Sequence, residues 1–178
     1  MSKPKPISAA KLKKVLVLLG PNLDLLGSRQ PEVYGSETLR SINDRLKRTA
    51  ERHGASLQIF QSNHEGALIE CVHAARKQGT AWIIVNPGGL THTSVALRDA
   101  LAAVQIPFVE VHLSNIYSRE TFRRYSYFSD LAVGTVCGLG GWGYDFALEF
   151  ALGSGDSARS SLRSFPRSRG GAAQTKPA

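Results

Sequence analysis

No stretch of this 178-residue chain reaches the ~18 consecutive apolar residues of a membrane span. The opening MSKPKPISAAKLKK is basic and polar, with no apolar segment ahead of a cleavage site. No secretory leader is expected, and the chain reads as cytoplasmic. Cysteine is scarce. Cys71 and Cys137 stand far apart in apolar runs, which excludes a disulfide scaffold and predicts two buried free thiols in a reducing compartment. Lysine is missing where carbonyl chemistry would need it. Between residues 15 and 150 only Lys47 and Lys77 occur, both on helical faces, so no lysine is available at a strand end for a Schiff base. There is no G-x-x-x-x-G-K loop for nucleotide phosphates. The five histidines and two cysteines show no metal-ligand spacing, and His64-Glu65 has no second histidine four residues on.

What is present is a core. Apolar residues make up 42% and charged residues 20%, outside the disordered range. The net charge of +8 belongs to the ends: residues 1–14 hold five lysines and no acid, and residues 151–178 hold five basic side chains against Asp156. The 136 residues between carry 12 basic and 13 acidic groups, which argues against a nucleic-acid-binding folded surface. The Gly-, Ser-, Arg- and Pro-rich end lacks apolar periodicity. The expected organisation is a disordered basic tail over 1–12, one domain over 13–152 and a second disordered basic tail over 153–178.

Within that domain strands and helices alternate. VLVLLG (15–20), SLQIFQ (56–61), AWIIVN (81–86), PFVEVHL (107–113) and LAVGTVC (131–137) read as strands. Helices are expected over 37–53 and 65–78, stopped by Gly54 and Gly79, then from a cap at Thr91 or Thr93 to Val104, from Ser118, and over 141–152. Five strands alternating with five helices give an α/β fold: a flavodoxin-like five-stranded parallel sheet of order 2-1-3-4-5, with helices on both faces. Ligands then bind beyond the carboxyl ends of the strands, beside strand 1.

The residues there are informative. Strand 1 runs into GPNLDLLGSRQPEVYGSETL, roughly 15 residues where ~2–6 are usual. It carries Asn22, Arg29 and Tyr34 and is either a functional lid or a solvent loop on which Tyr34 packs. Strand 3 ends in NPGGLTHTSVALRDA, where Asn86, Thr91, His92, Thr93 and Ser94 either bind polar groups or only cap the helix. Strand 4 reads V-E-V-H-L-S-N, and period two puts Glu110 and His112 on one side. A carboxylate there sets the imidazole tautomer of an acid or base, unless the two are merely a satisfied buried pair. Arg119 and Arg123 share a helical face, to neutralise a carboxylate or to be solvated. G-L-G-G-W-G (138–143) matches a dinucleotide fingerprint but follows the last strand, with no βαβ unit after it.

Together, GPNLDLLGSRQPEVYG, QSNHEGALIE, NPGGLTHTSVALRDAL and VEVHLSNIYSRETFRRYSY closely resemble type II 3-dehydroquinate dehydratase. The resemblance covers about residues 14–150 and neither tail. Its departures, Asp24 and Gly-Gly-Trp at 140–142, touch no catalytic position. It implies a hydro-lyase that interconverts 3-dehydroquinate and 3-dehydroshikimate, in the shikimate pathway or in quinate catabolism, by anti elimination through an enolate. Carried over by motif, Tyr34 resembles the base and Arg29 the group that activates it. His112 resembles the general acid and Glu110 its orienting partner, while Asn22 and Asn86 line the reaction centre. His92 and Asp99 resemble substrate-hydroxyl ligands, Asp99 on its own or a neighbouring subunit's site. Leu113 and Ser114 would hold the substrate carboxylate, and Arg123 its polar groups. The resemblance further implies no cofactor, no metal, and a homododecamer of four trimers. A non-catalytic anion-binding module is the competing reading. Weak polyanion binding through the basic tails is the one nucleic-acid contact expected.

Overall fold

The computed structural model describes residues 12–27 and 37–153, so both tails lie outside it, as do Arg29 and Tyr34. Five parallel strands form one sheet: β1 (Lys14–Leu19), β2 (Ser56–Gln61), β3 (Trp82–Asn86), β4 (Phe108–His112) and β5 (Gly134–Cys137), in the order β2-β1-β3-β4-β5. Four α-helices join them: α1 (Leu39–Arg52), α2 (Glu65–Lys77), α3 (Val95–Val104) and α4 (Trp142–Gly153). Among the described residues no helix is long and apolar enough to cross a membrane.

The central strands are buried on both faces because helices cover both. Val15, Val17, Leu19, Trp82, Ile84 and Val111 pack with Ile42 and Leu46 of α1 and Tyr144 and Leu148 of α4. The alternate residues Leu16, Leu18, Ile83 and Val85 pack with Leu68 and Val72 of α2 and Leu97 and Leu101 of α3. Period two in the strands thus assigns one set of side chains to each layer. Thr38 caps α1 by accepting the Ser41 N–H, and Gly54, at φ 59°, provides the left-handed exit that follows it.

Three expectations are corrected. Among the described residues four α-helices form, not five: the segment from Ser118 falls into 3-10 turns at Ile116–Ser118 and Thr121–Arg124, separated by an extended Arg119 at ψ −163°. Ser94 caps α3, accepting the Leu97 N–H at 2.9 Å, whereas Thr91 turns inward. β5 starts at Gly134 because the N–H groups of Leu131 and Ala132 close a turn on the Phe128 carbonyl. Of the thiols, both are free, but Cys137 is only half-buried.

At the switch point the ends of β1 and β3 meet backbone to backbone. The Gly20 N–H donates to the Asn86 carbonyl at 2.8 Å. A Cβ on Gly20 would collide with the Pro87 carbonyl, and one on Gly88, at φ 59°, would sit 3.0 Å from the Pro21 oxygen. Gly20→Ala therefore forces two strand ends apart. Such overpacking costs about 1–3 kcal/mol, a fall in Tm of roughly 3–10 °C for a domain of this size. Thermal unfolding followed by circular dichroism measures it, and an unchanged Tm would contradict this close approach.

Candidate active site

A cleft opens above the carboxyl ends of β1, β3 and β4, where the strand order reverses. Asn22, Asn86, His92, His112, Leu113 and Ser114 line it, with Arg119 and Arg123 on one wall. Each of the two asparagines is held by a different device. Asn22 sits in the left-handed region at φ 66°, a conformation asparagine tolerates better than most residues. Its N–H donates to the Asn63 side chain at 2.7 Å, and Asn63 in turn donates to Asp24 at 3.2 Å. Asn86, 2% exposed, donates its amide N–H to the Tyr144 hydroxyl at 2.7 Å and accepts the Gly88 N–H at 3.1 Å. These two bonds fix which way its amide faces. Burial pushes the Tyr144 phenol far up, only partly opposed by Asn86, so Tyr144 stays protonated and is no base.

β4 delivers the dyad that its alternation predicts. The buried His112 donates Nε2–H to Glu110 Oε1 at 2.9 Å. A carboxylate can only accept, so Nε2 carries a proton in either charge state of the ring, and Nδ1 is the nitrogen left for the cleft. Glu110 Oε1 also accepts from Thr91 at 3.0 Å and from Ser126 at 2.7 Å. His92 donates Nδ1–H to the Tyr125 carbonyl at 2.6 Å, leaving Nε2 as an acceptor. Its pKa is lowered, first by burial and then by Arg123 and His112, against the raising effects of the Tyr125 carbonyl and Glu110. A neutral His92 therefore has Nε2 as its hydrogen-bond acceptor.

Two guanidiniums form the cationic wall. Arg123 pairs with Glu120 at 2.9 Å and Arg119 with the same carboxylate at 3.5 Å. Arg119 also donates to Ser114 Oγ at 3.2 Å. Both line the cleft beside Ser114 and bring N–H donors of the kind that carboxylates accept from. Among the described residues no group of three or more His, Cys, Asp or Glu is placed to hold a metal ion.

The fold thus gathers Asn22, Asn86, His92, Glu110, His112, Leu113, Ser114 and Arg123 around one cleft. Asp99 is exposed on α3 and does not line it. Sequence reasoning gave no role to Asn63, Tyr144 and Ser126, and it left Thr91 open between a polar-group ligand and a cap. Asn63 and Thr91 carried a signal, as polar residues at strand exits. The glycine-rich 138–143 segment has a structural use instead. Gly138 N–H donates to the His112 carbonyl at 3.2 Å and Gly140 N–H to the Leu113 carbonyl at 2.9 Å, tying the end of β4 in place. A Cβ on Gly141 would strike Glu37 and Ile42.

Comparison with known proteins agrees with this geometry. The family model for dehydroquinase class II matches residues 13–152. A 3-dehydroquinate dehydratase of Laribacter hongkongensis is 61% identical over 143 residues, covering 80% of this chain and 92% of that one. One of Ralstonia pickettii is 60% identical over 148 residues, covering 83% and 95%. Among solved structures, the type II dehydroquinase of Butyrivibrio crossotus superposes with a TM-score of 0.79 at 39% identity, over 82% of this chain and all of that one. That of Propionibacterium acnes gives 0.76 at 37% identity, over 80% and 97%.

Proposed function

We propose, on the premise that the chain belongs to the class II dehydroquinase family, that it removes water from 3-dehydroquinate with Tyr34 as base and His112 as general acid. Its reaction yields 3-dehydroshikimate in the shikimate pathway, which makes it a lyase. The substrate has a ketone at C3, an acidic hydrogen at C2, and a hydroxyl at C1 beside a carboxylate. Tyr34, as phenolate, takes the C2 hydrogen and leaves an enolate. A free tyrosine titrates near ~10, so phenolate is scarce at neutral pH. The Arg29 guanidinium favours the charged form. The enolate oxygen needs oriented donors, and Asn86, its amide held by Tyr144 and Gly88, supplies one at the cleft floor, with Asn22 beside it on a fixed backbone. The enolate then collapses: the C3 carbonyl re-forms, the C1–C2 double bond forms, and the C1–O bond breaks. His112 protonates the departing hydroxyl, which leaves as water.

The observation that carries this reading is the His112–Glu110 bond at 2.9 Å, which turns a second imidazole nitrogen to the cleft. Around it, Ser114 and the Leu113 backbone, with Arg119 and Arg123 nearby, suit the substrate carboxylate. His92 suits a ring hydroxyl. No cofactor is needed, since one base and one acid balance the protons. Purified protein mixed with 3-dehydroquinate should develop the absorbance of the enone product. No absorbance growth under conditions where the protein is folded would sink the proposal.

The assembly follows from the same reading. Asp99 is exposed on α3, and Tyr117, Phe122 and Tyr125 are exposed beside the cleft. These features support a neighbouring subunit covering the cleft mouth and Asp99 serving that neighbour's site, within a dodecamer of four trimers. A sedimentation mass of one chain would count against it. The two free cysteines support a cytoplasmic setting.

A further inference from the structure

Two dipeptides from separate segments close around Glu110. In the 3-10 turn Gly88–His92, Thr91 donates to Glu110 Oε1 at 3.0 Å, while its neighbour His92 bonds the Tyr125 carbonyl. From the other side, Ser126, next to Tyr125, donates to the same Oε1 at 2.7 Å. The Tyr127 N–H closes the arrangement on the Thr91 carbonyl at 2.9 Å. Ser126 Oγ already accepts the N–H groups of Phe128 at 2.9 Å and Ser129 at 3.1 Å. Its lone pairs are taken, so its hydroxyl hydrogen is committed to Glu110. Thr91 and Glu110 are both 0% exposed. Oε1 thus gathers three donors, His112 included, whereas the buried Oε2 has no partner among the described residues.

Three donors on one oxygen require that oxygen to be an acceptor only. We propose that Thr91 and Ser126 are positioning residues for proton delivery by His112. Their hydroxyls hold Glu110 Oε1 in one place. Glu110 then accepts the Nε2–H, aims Nδ1 at the cleft, and steadies the imidazolium until it gives its Nδ1 proton to the leaving hydroxyl. Without them Glu110 keeps fewer donors, its rotamer is less firmly fixed, and Nδ1 is aimed less well for proton delivery. The inference rests on the reading of His112 as general acid.

Thr91→Val removes the donor and keeps the branched shape, and Thr91→Ser restores the hydroxyl. Each is assayed for kcat and KM, for the isotope effect of substrate deuterated at C2, and for the solvent isotope effect. In Thr91→Val, kcat should fall by roughly tenfold, a fraction of what loss of a general acid costs, with KM changed less than about twofold. Proton delivery should become slower relative to C2 deprotonation, so the C2 effect shrinks toward unity and the solvent effect grows. Thr91→Ser should return kcat and both isotope effects to wild-type values. A fall in kcat with both isotope effects unchanged would show a merely structural role and overturn the inference, as would wild-type kinetics. If Thr91→Val does not fold, Ser126→Ala is judged by the same criteria. His112→Gln, run alongside, separates the two possible failures. If it retains turnover, the reading of His112 falls and this inference with it. If it abolishes turnover while Thr91→Val matches the wild type, only the positioning role falls.

Discussion

His112→Gln lowers kcat by about 10²–10⁴-fold, the range for loss of a general acid, and changes KM far less. Glutamine carries its Nε2–H as far from the backbone as histidine does and so can keep the donor to Glu110 Oε1, while the nitrogen that faces the cleft is removed. That choice matters because Glu110 is 0% exposed and already has one oxygen without a partner among the described residues. A variant that also removed the N–H donated from position 112 would cost about 1–3 kcal/mol of stability and confuse folding with chemistry. Initial rates of enone formation across substrate concentration, beside a thermal melt, separate the two. A kcat within about threefold of wild type, far short of that range, would remove His112 from the reaction.

Tyr34→Phe should be as severe, about 10²–10⁴-fold in kcat, because the ring remains and only the proton acceptor is lost. Tyr34 and Arg29 lie outside the described residues, so the assignment comes from the loop motif GPNLDLLGSRQPEVYG. Tyr144, bonded to Asn86 at the cleft floor, is no rival for the role, because burial holds it protonated. Arg29→Ala gives a sharper reading than loss alone. Without the guanidinium the phenolate is disfavoured, so the rising limb of the pH–rate profile moves toward alkaline pH and turnover partly recovers there. Tyr34→Phe has no such recovery. If Arg29→Ala kept the wild-type limb, its activating role would be wrong.

The parallel sheet and its order were legible because alternation of apolar runs with helical periodicity leaves few right-handed topologies. The dyad was legible because period two in V-E-V-H is a local rule. What supports the dyad was not. Ser126 reaches Glu110 across 16 positions, and Tyr144 reaches Asn86 across 58. In the sequence the first is one more serine in a polar stretch and the second one more core aromatic. Thr91 was left open because a threonine before a helix satisfies a capping rule, and nothing local says that Ser94 does so better. The overlong fifth strand has a similar origin: Leu131 and Ala132 are apolar in a turn as they would be in a strand. Asp99 sits on an exposed helix position, and a single chain's pattern cannot say which subunit's cleft that position serves.

The meeting of Gly20-Pro21 with Pro87-Gly88 has a consequence for how far this enzyme's specificity can be altered. The floor of the cleft is main chain against main chain, with no side chain between that could be shortened to make room. Any displacement of Asn22 drags the exit of β1 against the exit of β3, and so shifts Asn86 as well. The backbones that carry the two asparagines are thus set at one spacing. A substrate with a larger ring cannot be admitted by deepening this end. Space must come from the wall of residues 114–123, built of 3-10 turns and ion pairs, where a shortened side chain leaves the sheet untouched.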